Sequence, residues 1–177
     1  MEHEPDEVLI EKSKAGDMAA FKTLVIRHEG AVAGVVRGLM GATSEAEDVG
    51  QEVFIRFYNA LNKFRGDASV STYLTRIAIN LALTELNKGK KARARLTSLD
   101  DATGLLATEE QMDLKEQLQY ELGRMDPEFK SVVTLRLVEG YTTEETASLL
   151  GIPVGTVLSR LARAQHKLRT ALIKKLK

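Results

Sequence analysis

The chain has 177 residues, of which 44% are hydrophobic and 28% charged, and its formal net charge at pH 7 is zero. This composition is typical of a globular protein and excludes a disordered tail. The absence of cysteine excludes disulfides and thiolate metal sites, and the three histidines (His3, His28 and His166) share no ligand spacing. We therefore expect neither a metal site nor a cofactor.

Targeting and membrane segments are not recognisable in the sequence. No charged segment followed by an apolar one opens the chain, as it would in a secretory signal. The apolar run "AVAGVV" stops at Arg37, far short of the roughly 18 residues that a membrane span needs. We expect a cytoplasmic protein without a membrane span.

The charges cancel overall but are segregated along the chain. Residues 1–52 carry 5 basic and 11 acidic side chains, and residues 53–98 carry 9 and 2. Residues 99–128 carry 2 and 9, and residues 129–177 carry 9 and 3. Two basic blocks favour two separate contacts with a polyanion, and the acidic blocks leave surface for other partners. The alternative, solvated helix faces, would scatter the signs.

Apolar residues in the first half recur at spacings of three and four, which predicts four helices. Asp17 is placed to cap the second helix, and Ser44 with Glu47 predicts a capping box for the third. After a turn-rich loop, "NKFRGDAS", the fourth helix is expected from about Ser71 to Leu86.

The apolar period disappears between residues 89 and 108. A structureless stretch of that length is unusual inside one compact domain, so we predict a flexible linker at 89–108. The linker would join a domain at 1–88 to a second domain at 109–177. Because no strand pattern exceeds a few residues, the predicted fold class is all-α, with two small helical domains.

The second half contains the most informative stretch, "EETASLLGIPVGTVLSRLARA", in which two helical patterns are separated by three residues. Gly151 can adopt the left-handed conformation that ends the first helix, and Pro153 suits the first turn of the next. Ala147, Gly151 and Val157 have the spacing of the small residue, turn glycine and inner apolar residue of a DNA-binding helix-turn-helix. The alternative is a plain helical hairpin with a basic solvent face. Thr142 with Glu145 predicts a capping box just before it.

The solvent side of the second of these helices would hold small, hydroxyl and basic residues. Small residues near a helix N-terminus allow a phosphate to approach the backbone N–H groups. Ser159 and Arg163 are four residues apart, so both could reach base edges in a major groove. The residues on this face are Gly155, Thr156, Ser159, Arg160 and Arg163.

The stretch "GYTTEETASLLGIPVGTVLSRLARAQHKL" resembles region 4, the DNA-binding part, of bacterial RNA polymerase sigma factors of the sigma-70 family, extracytoplasmic-function (ECF) class. In the first half, "GDMAAFKTLVIRH" is similar to region 2.1 and "EAEDVGQEVFIRFYNAL" to region 2.2. The stretch "KFRGDASVSTYLTRIAINLA" is similar to regions 2.3 and 2.4. The resemblance implies a subunit that gives RNA polymerase its promoter specificity and is not an enzyme.

The resemblance also implies partners and contact residues. Region 2 would bind the β′ clamp helices of core RNA polymerase and melt the minus-10 element, and region 4 would bind the β flap and read the minus-35 element of promoter DNA. Regulation by an anti-sigma factor is implied as well. The implied polymerase contacts are Asp48, Gln51 and Glu52, and the implied DNA contacts are Lys63, Phe64, Tyr73, Arg76, Asn80, Arg136, Thr156, Ser159, Arg160 and Arg163.

Other interpretations of these residues stay open at this point. The acidic patch could be a solvated face, Phe64 a core residue and Asn80 a buried, satisfied amide. Tyr73 stands where the family usually has Trp, so an aromatic residue is kept. Leu158 stands where the family often has a basic residue, and the stretch "LALTELNKGKK" has fewer arginines than usual; these two departures put part of the DNA contact in doubt. The alternative function is a stand-alone helix-turn-helix repressor or activator. An enzyme is disfavoured because the sequence has no glycine-rich phosphate loop, no cysteine nucleophile and no histidine–carboxylate pairing suggestive of a catalytic base.

Overall fold

The computed structural model describes residues 4–97 and 114–175. The described residues form eight α-helices and no strand, which confirms the predicted all-α class. None of the described helices is long and apolar enough to cross a membrane. The chain divides into two compact units, Met1–Ala82 and Leu83–Lys177.

The first unit is built on helices that each bury one apolar stripe. Asp17 caps the second helix as predicted, since its Oδ1 accepts hydrogen bonds from the backbone N–H groups of Ala19 at 2.9 Å and Ala20 at 3.1 Å. The helices of this half are α1 (Asp6–Lys14), α2 (Met18–Met40), α3 (Ser44–Ala60) and α4 (Val70–Thr97), with a 3₁₀ turn at Leu61–Lys63.

Phe57 of α3 lies at the centre of this unit and is completely buried. Its ring centroid lies 6.1 Å from that of Phe21, 5.9 Å from that of Phe64 and 5.8 Å from that of Tyr73. Aromatic rings at these separations attract one another beyond the burial of their area. The aromatic cluster formed by these four residues therefore connects α2, α3 and α4 with the loop after α3.

Two details of this half differ from the prediction. The third helix is capped by Thr43, whose hydroxyl accepts from the backbone N–H of Ala46 at 3.2 Å, so the predicted Ser44–Glu47 capping box is wrong. The fourth helix does not end near Leu86 but continues to Thr97, because alanine, lysine and arginine are strong helix formers even without an apolar period. Residues 89–97 of the predicted linker are thus helical, and residues 98–108 lie outside the described residues.

The second unit places its last helix against the three helical segments before it. Phe129, Val133 and Ala164 form one buried cluster, and Val132, Ala147 and Val157 form another. The predicted boundaries of the two domains, 1–88 and 109–177, stay predictions. The helices are α5 (Leu114–Arg124), α6 (Pro127–Val133), α7 (Thr143–Leu150) and α8 (Val154–Lys175), with a π-helical turn at Thr134–Val138 after α6.

The corner between α7 and α8 has the predicted construction. The hydroxyl of Thr142 accepts from the N–H of Glu145 at 3.1 Å, and the Thr142 N–H donates to the Glu145 carboxylate at 2.7 Å, which lowers the pKa of Glu145. Gly151 ends α7 in the left-handed conformation, with φ +65°. The carbonyl of Pro153 then accepts from the N–H groups of Thr156 and Val157, which starts α8.

Alanine substitutions at the two glycines that flank this corner should change the free energy of unfolding in opposite directions. Gly151→Ala should lower the free energy of unfolding by about 1–2 kcal/mol, because a Cβ is strained in the left-handed region. Gly155→Ala should raise it by about 0.5–1 kcal/mol, since Gly155 is helical and, apart from its chain neighbours and the backbone of its own helix, a Cβ there meets no described atom within 4 Å. Urea denaturation, with hydrogen exchange of the α7 and α8 amides, measures both. Equal effects would contradict the assigned corner.

Candidate nucleic-acid interfaces

The buried face of α8 determines which of its side chains meet the solvent. Val157 is completely buried against Val132 and Ala147. At 3.6 residues per turn, Gly155 and Ser159 consequently point away from the core, and both are exposed, as is Arg163. The structure brings these predicted residues together on one surface at the start of α8. The exposed first turn of α8 presents backbone N–H groups to the solvent, and Arg163 adds a cation further along the same face, a combination suited to an anionic ligand.

The other two predicted residues of α8 are less accessible. Arg160 is half-buried, and its Nη2 forms an ion pair with Oε2 of Glu128 at 2.9 Å. Thr156 is also half-buried, and its carbonyl oxygen accepts a hydrogen bond from the hydroxyl of Ser159 at 3.1 Å. Arg160 therefore already has an anionic partner within its own unit, whereas Arg163 lies further out on the same flank.

Arg136, a predicted DNA contact, also stabilises the fold of its own unit. It is half-buried in the π-helical turn, and its Nη1 donates a hydrogen bond to the carbonyl oxygen of Tyr141. This bond holds the backbone one residue before the Thr142 cap of α7. Any contact of Arg136 with DNA would therefore use the remaining donors of its guanidinium group.

Large apolar side chains also lie on the solvent side of α8. Leu158 is 53% exposed and Val154 is 40% exposed. The two are four residues apart, so they lie next to each other along one side of the helix.

The loop after α3 carries Phe64 at a half-buried position within the aromatic cluster. The Phe64 ring packs edge-on against Tyr73, with 5.1 Å between the ring centroids, and Tyr73 is half-buried too. Lys63, the preceding residue, is exposed. Both predicted aromatic residues thus belong partly to the core, and each stays partly exposed to solvent.

The backbone of this loop is held by the first helix of the chain. The ammonium group of Lys14, near the end of α1, donates a hydrogen bond to the carbonyl oxygen of Phe64 at 3.1 Å and forms an ion pair with Glu11 at 2.9 Å. Next to this contact, α1 and the loop line an open pocket of about 710 Å³ whose lining includes Ile10 and Phe64. Lys14 is a residue that the sequence patterns did not single out.

Arg76 and Asn80 of α4 are both exposed and lie four residues apart, so they share a surface of the helix. The alternative of a buried Asn80 is therefore wrong. A cation and an amide on one helix surface combine a phosphate-binding group with a group that can hydrogen-bond to a base.

The predicted polymerase contacts lie on α3. Asp48 and Gln51 are exposed, and Glu52 is half-buried with its Oε1 2.8 Å from Nε of Arg56. A groove of about 330 Å³ between α2 and α3 adjoins them, with Gly50 and Phe54 in its lining. The surface is thus acidic beside an apolar groove. In the described part of the chain, no group of three His, Asp or Glu residues could hold a metal ion.

Two family profiles match the chain in the order of its two units. The profile described as Sigma-70 region 2 matches residues 24–92, and the profile described as Sigma-70, region 4 matches residues 115–168.

Similar proteins agree with these matches. The chain is 32% identical over 182 residues to the RNA polymerase sigma-H factor of Pseudomonas aeruginosa, which covers 96% of this chain and 94% of that protein. It is 33% identical over 174 residues to the ECF RNA polymerase sigma-E factor of Escherichia coli, covering 91% of each. These relatives are transcription initiation factors rather than catalysts.

Solved structures share the fold. The structure of CnrH in complex with the cytosolic domain of CnrY matches with a TM-score of 0.68 and 27% identity, over 96% of this chain and 97% of that chain. The sigma factor RpoE in complex with the anti-sigma factor NepR, from Bartonella quintana, matches with a TM-score of 0.63 and 20% identity, over 86% of this chain and 96% of that chain. With both regions matched and relatives aligned over almost their whole length, the chain belongs to the ECF class of the sigma-70 family of RNA polymerase sigma factors.

Proposed function

We propose that this sigma factor binds core RNA polymerase and directs initiation at promoters whose minus-10 element is melted by region 2 and whose minus-35 element is read by region 4. The observation that carries the proposal is the exposed start of α8, where Ser159 and Arg163 lie together beyond a sharp helix-turn-helix corner. The acidic surface of Asp48, Gln51 and Glu52 is the proposed contact with the β′ clamp helices, and region 4 would contact the β flap.

In region 4, α8 would lie in the major groove with its N-terminal turns toward the bases. Ser159 and Arg163 are the proposed base-reading residues, because both are exposed and carry groups that can hydrogen-bond to base edges. Thr156 is the proposed phosphate contact at the start of the helix. Arg160 and Arg136 would add phosphate contacts with the guanidinium donors that Glu128 and Tyr141 do not use.

In region 2, melting requires bases to leave the stack, which costs a few kcal/mol that aromatic surface can offset. The proposed aromatic surface is the exposed part of Phe64 and Tyr73, whose packing in the aromatic cluster limits how far either ring can move. Lys63 and Arg76 would hold phosphates on either side, and Asn80 would read the edge of a base. Attachment of the loop to Lys14 keeps Phe64 in place before DNA binds.

Transcription with core polymerase from the same cell is the direct test. We expect the chain to produce new transcripts from genomic fragments, and the fragments should share two upstream motifs. Binding of a specific duplex by the chain alone, without any complex with core polymerase, would favour the stand-alone repressor or activator instead. The shared motifs supply the minus-10 and minus-35 sequences for the comparisons that follow.

In the same assay, Arg163→Ala should lose about 1–3 kcal/mol of discrimination between matched and mutated minus-35 elements, because a bidentate arginine contact with a base contributes that much. Arg160→Ala is the matched control on the same helix. Glu128 already pairs with Arg160, so Arg160 is proposed to contact phosphate only, and Arg160→Ala should weaken binding to all sequences alike. Equal transcription by the wild type from matched and mutated minus-35 elements would contradict the role of α8.

Alanine variants of Asn80 and Arg76, which lie four residues apart on α4, should distinguish base reading from phosphate binding. Asn80→Ala should reduce discrimination at one minus-10 position by about 1–3 kcal/mol. Arg76→Ala should weaken binding to all sequences and reduce the dependence of log K on log salt by about one. Permanganate reactivity of melted thymines, measured over a salt series, checks both. Identical losses for the two variants would contradict the assignment.

Regulation by an anti-sigma factor is part of the proposal. It is supported by the acidic surface beside the groove between α2 and α3, and by the match of this fold to a sigma factor solved with an anti-sigma factor. Such a partner would cover the polymerase contacts around Asp48 and Gln51. A tagged chain purified from its native cell should then bring down a small protein that core polymerase displaces. Recovery of core polymerase without any small partner would count against this regulation.

A further inference from the structure

The exposed apolar pair on α8, Leu158 with Val154, has no role in the functions described so far. A single exposed leucine on a protein surface is ordinary. This pair, however, lies in the N-terminal half of the helix that carries Ser159 and Arg163. An apolar pair at the edge of a polar surface that is proposed to face DNA can contact an apolar group on the ligand.

The rotation of α8 places Leu158 beside the proposed base-reading residues. Each residue advances the helix by about 100°, so Leu158 lies about 100° from the buried Val157, and Ser159 about 200°. Leu158 is thus next to Ser159 and on the opposite flank from Arg160, which is held by Glu128. The 53% exposure of its side chain agrees with this position.

A leucine side chain has no hydrogen-bond donor or acceptor, which restricts what it can recognise in the major groove. The base edges present donors and acceptors there, and the apolar group among them is the C5-methyl of thymine. We propose that Leu158, flanked by Val154, forms a subsite for a pyrimidine C5-methyl group in the minus-35 element. The inference rests on the proposed binding of α8 in the major groove.

This contact would act differently from a basic side chain at the same place. A lysine or arginine would release counterions from the DNA and would make binding more sensitive to salt. Burial of a methyl group against Leu158 is non-ionic and leaves the salt dependence unchanged. The substitution of an apolar for a basic residue would therefore replace general affinity for DNA with a preference for one kind of base pair.

Removal of single methyl groups from the DNA tests the subsite. The probe is a duplex with the minus-35 element obtained from transcription, in which each thymine in turn is replaced by deoxyuridine. The full chain with core polymerase should lose affinity about threefold to fivefold at one or two thymines, since about 0.8 kcal/mol accompanies the burial of one such group. The Leu158→Ala variant should show no loss at these positions, and its salt dependence should equal that of the wild type.

The matched control is Ile173→Ala, which removes a 43% exposed apolar side chain about 22 Å further along the same helix. It should keep the full deoxyuridine effect. At the responding position, a duplex with 5-methylcytosine should be bound more tightly than one with cytosine, and only when Leu158 is present. This comparison distinguishes recognition of the methyl group from recognition of the hydrogen-bonding edge of thymine.

Two results would overturn the inference and leave the proposed function intact: preference for the matched minus-35 element without any deoxyuridine effect, or an effect that persists in Leu158→Ala. A wild type with no minus-35 preference at all would overturn both.

Discussion

Buried apolar side chains fix the rotation of α8 and α3, two helices that carry candidate contacts. In α8, Val157 is completely buried against Val132 and Ala147, so Ser159 must face the solvent. In α3, Phe57 has the same function, because its burial turns Asp48 and Gln51 outward. A packed interior tolerates little rotation about a helix axis. The candidate surfaces of both units therefore depend on apolar residues that touch no ligand.

Features set by neighbouring residues could be predicted from the sequence. The Thr142–Glu145 capping box and the left-handed Gly151 depend on hydrogen bonds within a few residues, and both are present. The same reasoning misplaced the start of α3, because Thr43 offers an equivalent hydroxyl one residue before Ser44. The prediction also ended α4 too early. The loss of the apolar period shows where the buried stripe of the helix ends, but the helix itself continues to Thr97 because the following residues are strong helix formers.

Contacts between residues far apart in sequence could not be predicted in this way. Glu128 reduces the accessibility of Arg160, and Lys14 holds the carbonyl of Phe64 although the two are 50 positions apart. Arg136 matched a DNA-binding position, yet its guanidinium group already donates a hydrogen bond to the carbonyl oxygen of Tyr141. Sequence patterns identify the kind of side chain at a site, but tertiary partners decide how much of it remains available to a ligand.

Attachment of the loop to α1 has a consequence for the size of the folding unit. The region 2 profile begins at residue 24, whereas Leu9 and Ile10 of α1 are only 2% and 4% exposed. A fragment trimmed to the matched residues would keep the signature of the family while uncovering an apolar surface on α2. It would also leave the carbonyl of Phe64 without its lysine. For this protein, the smallest piece fit for recombinant work on region 2 begins before α1.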